Sequence, residues 1–265
     1  MWNLRFLGRI PILYRLVNAI AKRVFYNGRI ITIPFGPLSK FKWVCNQDHQ
    51  FWMPLGVYEK ETALWLINTV NFGDVFFDIG SNAGYFSLLG SKCVGETGKV
   101  ISFEPIASNC NTIKELLVAN KVNNVVVETL AVSNDTGKCR FQIENNNANS
   151  HMENVELKHQ VSNPKNTIEV GSITLDDYIS SHGIVPDVIK VDVEGAEKLV
   201  LDGSTDLLKG FDAAWIISTH SHDLYKECEY IMKKNGYEVK SLFGFHHELI
   251  CKKKIPNQRE DIETR

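Results

Sequence analysis

The feature that most constrains this chain is a short apolar run that ends in an acid and breaks into a glycine turn, Val75-Phe76-Phe77-Asp78-Ile79 followed by Gly80-Ser81-Asn82-Ala83-Gly84. A run of this kind is too short for a buried helix and too continuously apolar for a strand wetted on one face. It reads as a buried parallel strand whose tip carries function. The pattern then repeats. A helix is predicted over 84–92, a strand over 99–104, a helix over 108–120, and strands over 125–130 and near 138–143. Thr174-Leu175-Asp176-Asp177 opens a further helix with Thr174 as its cap. A strand over 188–193, a short helix over 197–201, a strand over 213–219 and a helix over 224–235, stopped by Gly236, come next. Residues 237–243 and 247–251 close the series as a β-hairpin around Gly244. Strands alternating with helices predict an α/β fold, a doubly wound, mostly parallel sheet. Ligands of such sheets bind beyond the carboxyl ends of the strands, at the switch point, so function is sought in the residues just after each strand.

Upstream, 29–34 and 42–45 read as short strands broken by Gly36-Pro37. A helix over 58–71 is expected to bury Ala63, Leu64, Leu66, Ile67 and Val70. Residues 1–52 form an N-terminal basic extension to a domain over 53–251. No acid precedes Asp48, whereas Arg5, Arg9, Arg15, Lys22, Arg23, Arg29, Lys40 and Lys42 do. Residues 10–25 carry apolar side chains at helical spacing. Such a helix either packs on the domain, the preferred reading, or lies on an anionic membrane at the inner face. Residues 144–167 are a polar, Asn-rich insertion with too little apolar content for a core, read either as a substrate-facing loop or, by default, as disordered. The tail 252–265 is charged and expected to fray.

Net charge is −2 over 265 residues, which argues against nucleic-acid binding by bulk attraction. The six cysteines form no C-x-x-C pair or disulfide-like framework and point to a reducing, cytoplasmic compartment. No run approaches the roughly 20 apolar residues that span a bilayer.

Four strand ends carry the chemistry. Gly80 and Gly84 let the backbone turn sharply between strand and helix, and the helix that follows aims its free N–H groups at a ligand. The three-glycine dinucleotide fingerprint is absent, because position 82 is Asn. Asp78, just before the first glycine, suits a cationic partner such as an amino group better than a phosphate. Glu104 ends the next strand about 20 residues on, where a carboxylate can accept both hydroxyls of a ribose, and Pro105 then stops the strand. In Lys190-Val191-Asp192-Val193-Glu194-Gly195-Ala196-Glu197, three carboxylates crowd an otherwise apolar strand end. Carboxylates are costly to bury without partners, so the crowding marks a site. Asp192 is placed at the sheet tip, Glu194 as an acceptor-binding group or base, and Glu197 as a helix-terminus group. No metal is expected, for want of a clear set of further ligands. His220 and His222 end the last parallel strand. A neutral His220 is the first candidate base, with Asp192 or Glu194 as alternatives, and His222 is placed in solvent.

Taken together these segments resemble the FkbM family of class I S-adenosylmethionine-dependent methyltransferases. The resemblance runs from about Gly56 to Cys251 and is carried by Gly56-Val57-Tyr58-Glu59, the segment 73–84, Phe103-Glu104-Pro105, Ala131-Val132-Ser133, Thr174-Leu175-Asp176-Asp177, 190–197 and Leu201-Asp202-Gly203. It implies a seven-stranded Rossmann-like methyltransferase sheet and S-adenosylmethionine as cofactor. The cofactor-binding set is then Asp78, Gly80, Ser81, Asn82, Gly84, Tyr85, Glu104, Pro105, Ala131 and Asp192. It also implies methylation of a hydroxyl oxygen on a sugar, glycan or related natural product. The family often carries an acid just before the histidine, where this chain has Ser218-Thr219-His220. Two rivals are a nicotinamide-dependent oxidoreductase, against which the missing third glycine speaks, and a non-catalytic protein that keeps the fold.

Overall fold

The computed structural model describes residues 23, 26–45, 53–56, 58–142, 151–152, 167–242 and 247–253. The predicted helix over 10–25, most of the Asn-rich insertion, the turn at Gly244 and residues 254–265 lie outside them, save Arg23.

The alternating pattern produces a seven-stranded sheet. Strands β3 (Val75–Ile79), β4 (Lys99–Phe103), β5 (Val125–Glu128), β10 (Val188–Val191) and β11 (Ala214–Thr219) are parallel. The hairpin β12 (Tyr237–Leu242) and β13 (His247–Lys253) joins antiparallel to β11. The spatial order is β12-β13-β11-β10-β3-β4-β5. Connections from β3 run one way to β4 and β5, while β10 and β11 lie on the other side of β3, so the switch point falls between β3 and β10. The tail begins later than expected, since Lys252 and Lys253 belong to β13.

Helices cover both faces. The residues of α1 (Lys60–Thr69), α2 (Tyr85–Val94) and α3 (Ala107–Asn120) share one apolar cluster with Phe76, Val100 and Val188. Those of α4 (Leu175–His182), α5 (Glu197–Asp202), α6 (Thr205–Gly210) and α7 (His222–Lys234) share another with Phe77, Ile101 and Ile189. This is the period-two alternation of strands buried on both faces. Helix α1 departs from the sequence expectation: Leu64 and Ile67 are exposed, while Trp65 and Thr62 join Ala63, Leu66 and Val70 inside. The buried stripe is apolar through Ala63, Trp65, Leu66 and Val70, and Thr62 joins it with its Oγ1 donating to Glu248 Oε1 at 3.0 Å.

The strands β1 (Ile30–Thr32) and β2 (Lys42–Val44) form an antiparallel pair, docked on the end of α3 where Asn120 bonds both the N–H and the carbonyl of Lys42. A second sheet was not foreseen. It contains β6 (Ala131–Val132), β7 (Gly137–Gln142), β8 (His151–Met152) and β9 (Thr167–Ile173), in the order β6-β9-β7-β8. Residues 151–152 pair with Phe141 and Gln142, so the polar insertion contributes a strand rather than loop alone.

Thr174 caps α4 as expected, its Oγ1 accepting the Asp177 N–H at 3.0 Å. The reciprocal half of a capping box is missing, because the Asp177 carboxylate accepts from Thr136. Thr174→Ala is expected to cost about 1 kcal/mol, read as a lower thermal midpoint with ligand binding unchanged.

Candidate active site

Alternation places three polar side chains in one row. Asp78 on β3 is register partner to Ser102 on β4 and to Lys190 on β10. All three are buried, on the face that carries Phe76, Val100 and Val188. Ser87 on α2 donates its hydroxyl to Asp78 Oδ2 at 2.6 Å. Burial dominates at Asp78 and raises its pKa, opposed by the charge of Lys190. Lys190 Nζ lies 3.0 Å from Asp192 Oδ2 and 4.9 Å over the Phe86 ring. Burial alone would drive its pKa down, but Asp192, Asp78 and Glu59 outweigh that, so the ammonium is raised and stays charged. Glu59, at the start of α1, is pushed to about 7 by burial and then by Asp192. Neither Lys190 nor Glu59 was expected at the site. The signal for Lys190 was a lysine inside a four-residue apolar strand, a position that requires acid partners.

The glycine turn is built against protein as well as toward a ligand. Gly80 has φ +80°, and a Cβ there would sit 1.9 Å from the carbonyl oxygen of Asp192. Gly84, at φ +82°, leaves a Cβ 3.0 Å from Ile113. Ser81 is spent internally, its hydroxyl donating to the Asp78 carbonyl at 2.7 Å. Glu104 is buried and ties the turn to β4. Its Oε2 accepts the Asn82 N–H at 2.8 Å, and its Oε1 accepts from the Ile106 N–H and from Asn109 Nδ2. Burial still prevails over these donors and raises its pKa to about 7.

Four buried polar atoms around this turn have no hydrogen-bond partner among the described residues: Asp78 Oδ1, Asn82 Oδ1, Tyr85 Oη and Asn109 Oδ1. Buried polar groups are rarely left so. Three are acceptors and the fourth a hydroxyl, which fits a ligand rich in N–H and O–H groups, as a nucleoside joined to an amino acid is.

The third feature is a rim at the ends of β10 and β11. His220 Nδ1 lies 2.7 Å from Glu197 Oε1, and its Nε2 lies 3.3 Å from Glu194 Oε2 and 3.7 Å from Asp192 Oδ1. Burial lowers the imidazole pKa, but Glu197, Asp192 and Glu194 more than reverse this and lift it to about 9. The acids around it thus favour the charged ring over the neutral one expected from the sequence. Burial chiefly pushes Glu194 to about 7. Glu197 is wholly buried and does more than the expected helix-terminus work, accepting the Gly195 N–H at 2.9 Å and holding His220. Where the sequence offered no clear set of further metal ligands, the structure brings Asp192, Glu194 and His220 together, each with a ligand atom within 4.8 Å of the others. The third donor comes from a different strand, which no local spacing reveals.

The remaining predicted residues fall as follows. Tyr85 is core, packed edge-on to Tyr58 and Phe86. Pro105 follows Glu104 directly. Ala131 sits in the second sheet, in a cluster with Ala196 and against Val193, beneath the acid-bearing loop. His222 is exposed, as expected.

No helix among the described residues is long and apolar enough to cross a membrane. No curated protein matches the chain significantly. Among solved structures it is similar to a methyltransferase FkbM from Methylobacillus flagellatus KT, at 15% identity over 76% of this chain and 52% of that one, with a TM-score of 0.48. It is also similar to an S-adenosylmethionine-dependent O-methyltransferase from Thermotoga maritima, at 11% identity over 88% and 80%, with a TM-score of 0.49. A fibrillarin from Aeropyrum pernix with natively bound S-adenosylmethionine is similar at 14% identity over 72% and 73%, with a TM-score of 0.45. The family assignment comes from sequence: the model of the methyltransferase FkbM domain matches residues 78–239, more than half of the chain, from the acid of the glycine turn to the closing hairpin. The chain belongs to the FkbM methyltransferase domain family, whose methyl donor is S-adenosylmethionine.

Proposed function

We propose that this protein methylates a hydroxyl oxygen of a sugar, a glycan or a related natural product. The observation that carries the reading is the contact between Gly80 and the Asp192 carbonyl, which sets the acid and histidine rim directly against the glycine turn. A donor in the turn and an acceptor at the rim would then meet over the switch point.

When bound, S-adenosylmethionine supplies an activated methyl group on a sulfonium. The chain's own residues bind, orient and handle the proton. Glu104 is assigned to the ribose hydroxyls through the unused lone pairs of its carboxylate. Asp78 Oδ1 and Asn82 Oδ1 are assigned to the donor's N–H and O–H groups. Lys190 holds Asp192 in place through Oδ2 and leaves Oδ1 turned to the rim. An alcohol is a weak nucleophile, so its proton must leave during attack, and the rim carboxylates of Asp192 and Glu194, which flank His220 Nε2, are the groups placed to receive it. Phe86, buried under the Lys190 ammonium, keeps water from that side of the site.

The test is incubation of the protein with labelled S-adenosylmethionine and a panel of glycan and polyketide acceptors, followed by mass spectrometry of the product. Label on oxygen supports the reading, whereas transfer to nitrogen or carbon alone overturns it. His220→Ala is expected to keep adenosylhomocysteine binding within about threefold and to lower turnover by about 10²–10⁴-fold. Undiminished turnover would remove His220 from the rim's chemistry. A titration with NADH against adenosylhomocysteine separates the oxidoreductase reading, and binding without turnover on every acceptor would favour a non-catalytic role.

A further inference from the structure

We propose that Asp192, Glu194 and His220 form a binding site for one divalent cation, with Glu197 as the positioning residue that fixes the histidine ring. The site rests on these side chains alone. Its use, drawing the acceptor oxygen to the ion, rests on the O-methylation reading above.

The distances leave room for a cation between the histidine and the two rim acids. His220 Nδ1 makes one good contact, at 2.7 Å, to Glu197 Oε1. Its Nε2 faces two carboxylate oxygens at 3.3 and 3.7 Å, both longer than a well-formed N–H···O bond of about 2.7–3.2 Å. One N–H cannot satisfy both acids. Three donor atoms spaced in this range, however, are what a single ion with ligands at about 2.0–2.2 Å gathers round itself. One imidazole with two carboxylates suits manganese, magnesium or zinc, and the half-exposed rim leaves positions open for water or substrate.

The outer contacts point the same way. A ligating histidine typically donates its second ring N–H to a carboxylate, which sets the tautomer and the ring orientation. Glu197 does this from a fully buried position, and its Oε2 has no partner among the described residues. Asp192 is braced from behind, Oδ2 on Lys190 and Oδ1 toward the rim. Charge also favours an added cation. Three carboxylates, Asp192, Glu194 and Glu197, crowd His220 at 3.7, 3.3 and 2.7 Å, with Lys190 on the far oxygen of Asp192, and acids gathered so closely are costly.

The test uses the full chain, stripped with EDTA and dialysed, and titrated with Mn²⁺ by calorimetry and by loss of the free-ion EPR signal. One Mn²⁺ per chain is expected. Glu194→Gln and His220→Ala should each weaken binding at least tenfold, and Glu197→Gln by roughly 10–100-fold. Glu229→Gln on the outer face of α7 should leave binding unchanged. Thermal melts accompany every variant; should His220→Ala melt early, Glu194→Gln, at the open rim, carries the comparison. Absence of stoichiometric Mn²⁺ binding, or binding undiminished in both rim variants, would overturn the site. Adenosylhomocysteine is titrated in the same samples. Its binding without Mn²⁺ sinks the ion alone, whereas Mn²⁺ binding without it sinks the cofactor assignments and leaves the ion standing.

Discussion

Glu104→Ala is expected to weaken adenosylhomocysteine binding by at least a hundredfold, measured by calorimetry at pH 8. Two hydroxyl donors to a buried carboxylate contribute about 1.5–3 kcal/mol each, and about 3 kcal/mol in all is already two decades of affinity. The loss runs deeper than the missing ligand contact. Glu104 also accepts from Asn82, Ile106 and Asn109, so its removal unties the glycine turn from the start of α3. The wild-type protein should show a matching pH dependence. With burial raising the carboxyl to about 7 in the cofactor-free protein, the anion that accepts ribose hydroxyls is scarce below that pH, and affinity should rise from pH 6 to pH 8 and then level off. Stability moves the opposite way. A carboxyl whose folded pKa exceeds its unfolded value favours the folded state at low pH, and that contribution is lost as pH climbs from about 4.5 to about 7. The change is worth about 3 kcal/mol at most. Adenosylhomocysteine should therefore raise the melting temperature more at pH 8 than at pH 6. A ligand-induced shift equal at both pH values, with Glu104→Ala binding normally, would remove Glu104 from the ribose role.

How far this site can be read from sequence depends on how local its causes are. Asp78, the glycine turn and Glu104 announce themselves because each lies at the end of an apolar run, and burial of a parallel strand dictates both the run and its end. The helix cap at Thr174 is equally local, one side-chain oxygen meeting an N–H three residues on. Lys190 is harder to read. It pairs laterally with Asp78, 112 positions earlier in the chain, and only the register of β3 on β10 makes the pair. The protonation of His220 is not legible either, since it depends on three acids meeting a ring from the neighbouring strand. The second sheet was missed for a related reason. Its two main strands, β7 and β9, are six and seven residues long, but β7 finds its partner only beyond the Asn-rich insertion, which no local spacing reveals. The exposed Leu64 and Ile67 show the limit of periodicity in a helix with five consecutive apolar residues, 63–67, where more than one face can be taken for the buried one.

Gly80→Ala is expected to be the most damaging single-methyl change at the site, lowering stability by on the order of 3 kcal/mol and abolishing cofactor binding. Two costs add. At φ +80° an alanine occupies the left-handed region, which for a residue with a Cβ costs about 1–2 kcal/mol. The new methyl would also meet the Asp192 carbonyl oxygen at 1.9 Å, a backbone atom with no flexible end to yield. Either the turn lifts off β10 or the segment 192–195 moves outward. Lifting the turn pulls the Asn82 N–H from Glu104. Moving the segment shifts Asp192, and with it the Lys190 contact and the rim. Gly84→Ala makes the informative comparison. It has the same backbone penalty at φ +82°, but its methyl meets the side chain of Ile113 at 3.0 Å, which can adjust. The two variants should therefore differ in thermal midpoint, with Gly80→Ala the lower, and only Gly80→Ala should lose Mn²⁺ and adenosylhomocysteine together. Equal midpoints for the pair would show that the contact between the turn and the Asp192 carbonyl carries no strain, and the coupling of glycine turn to rim would fail with it.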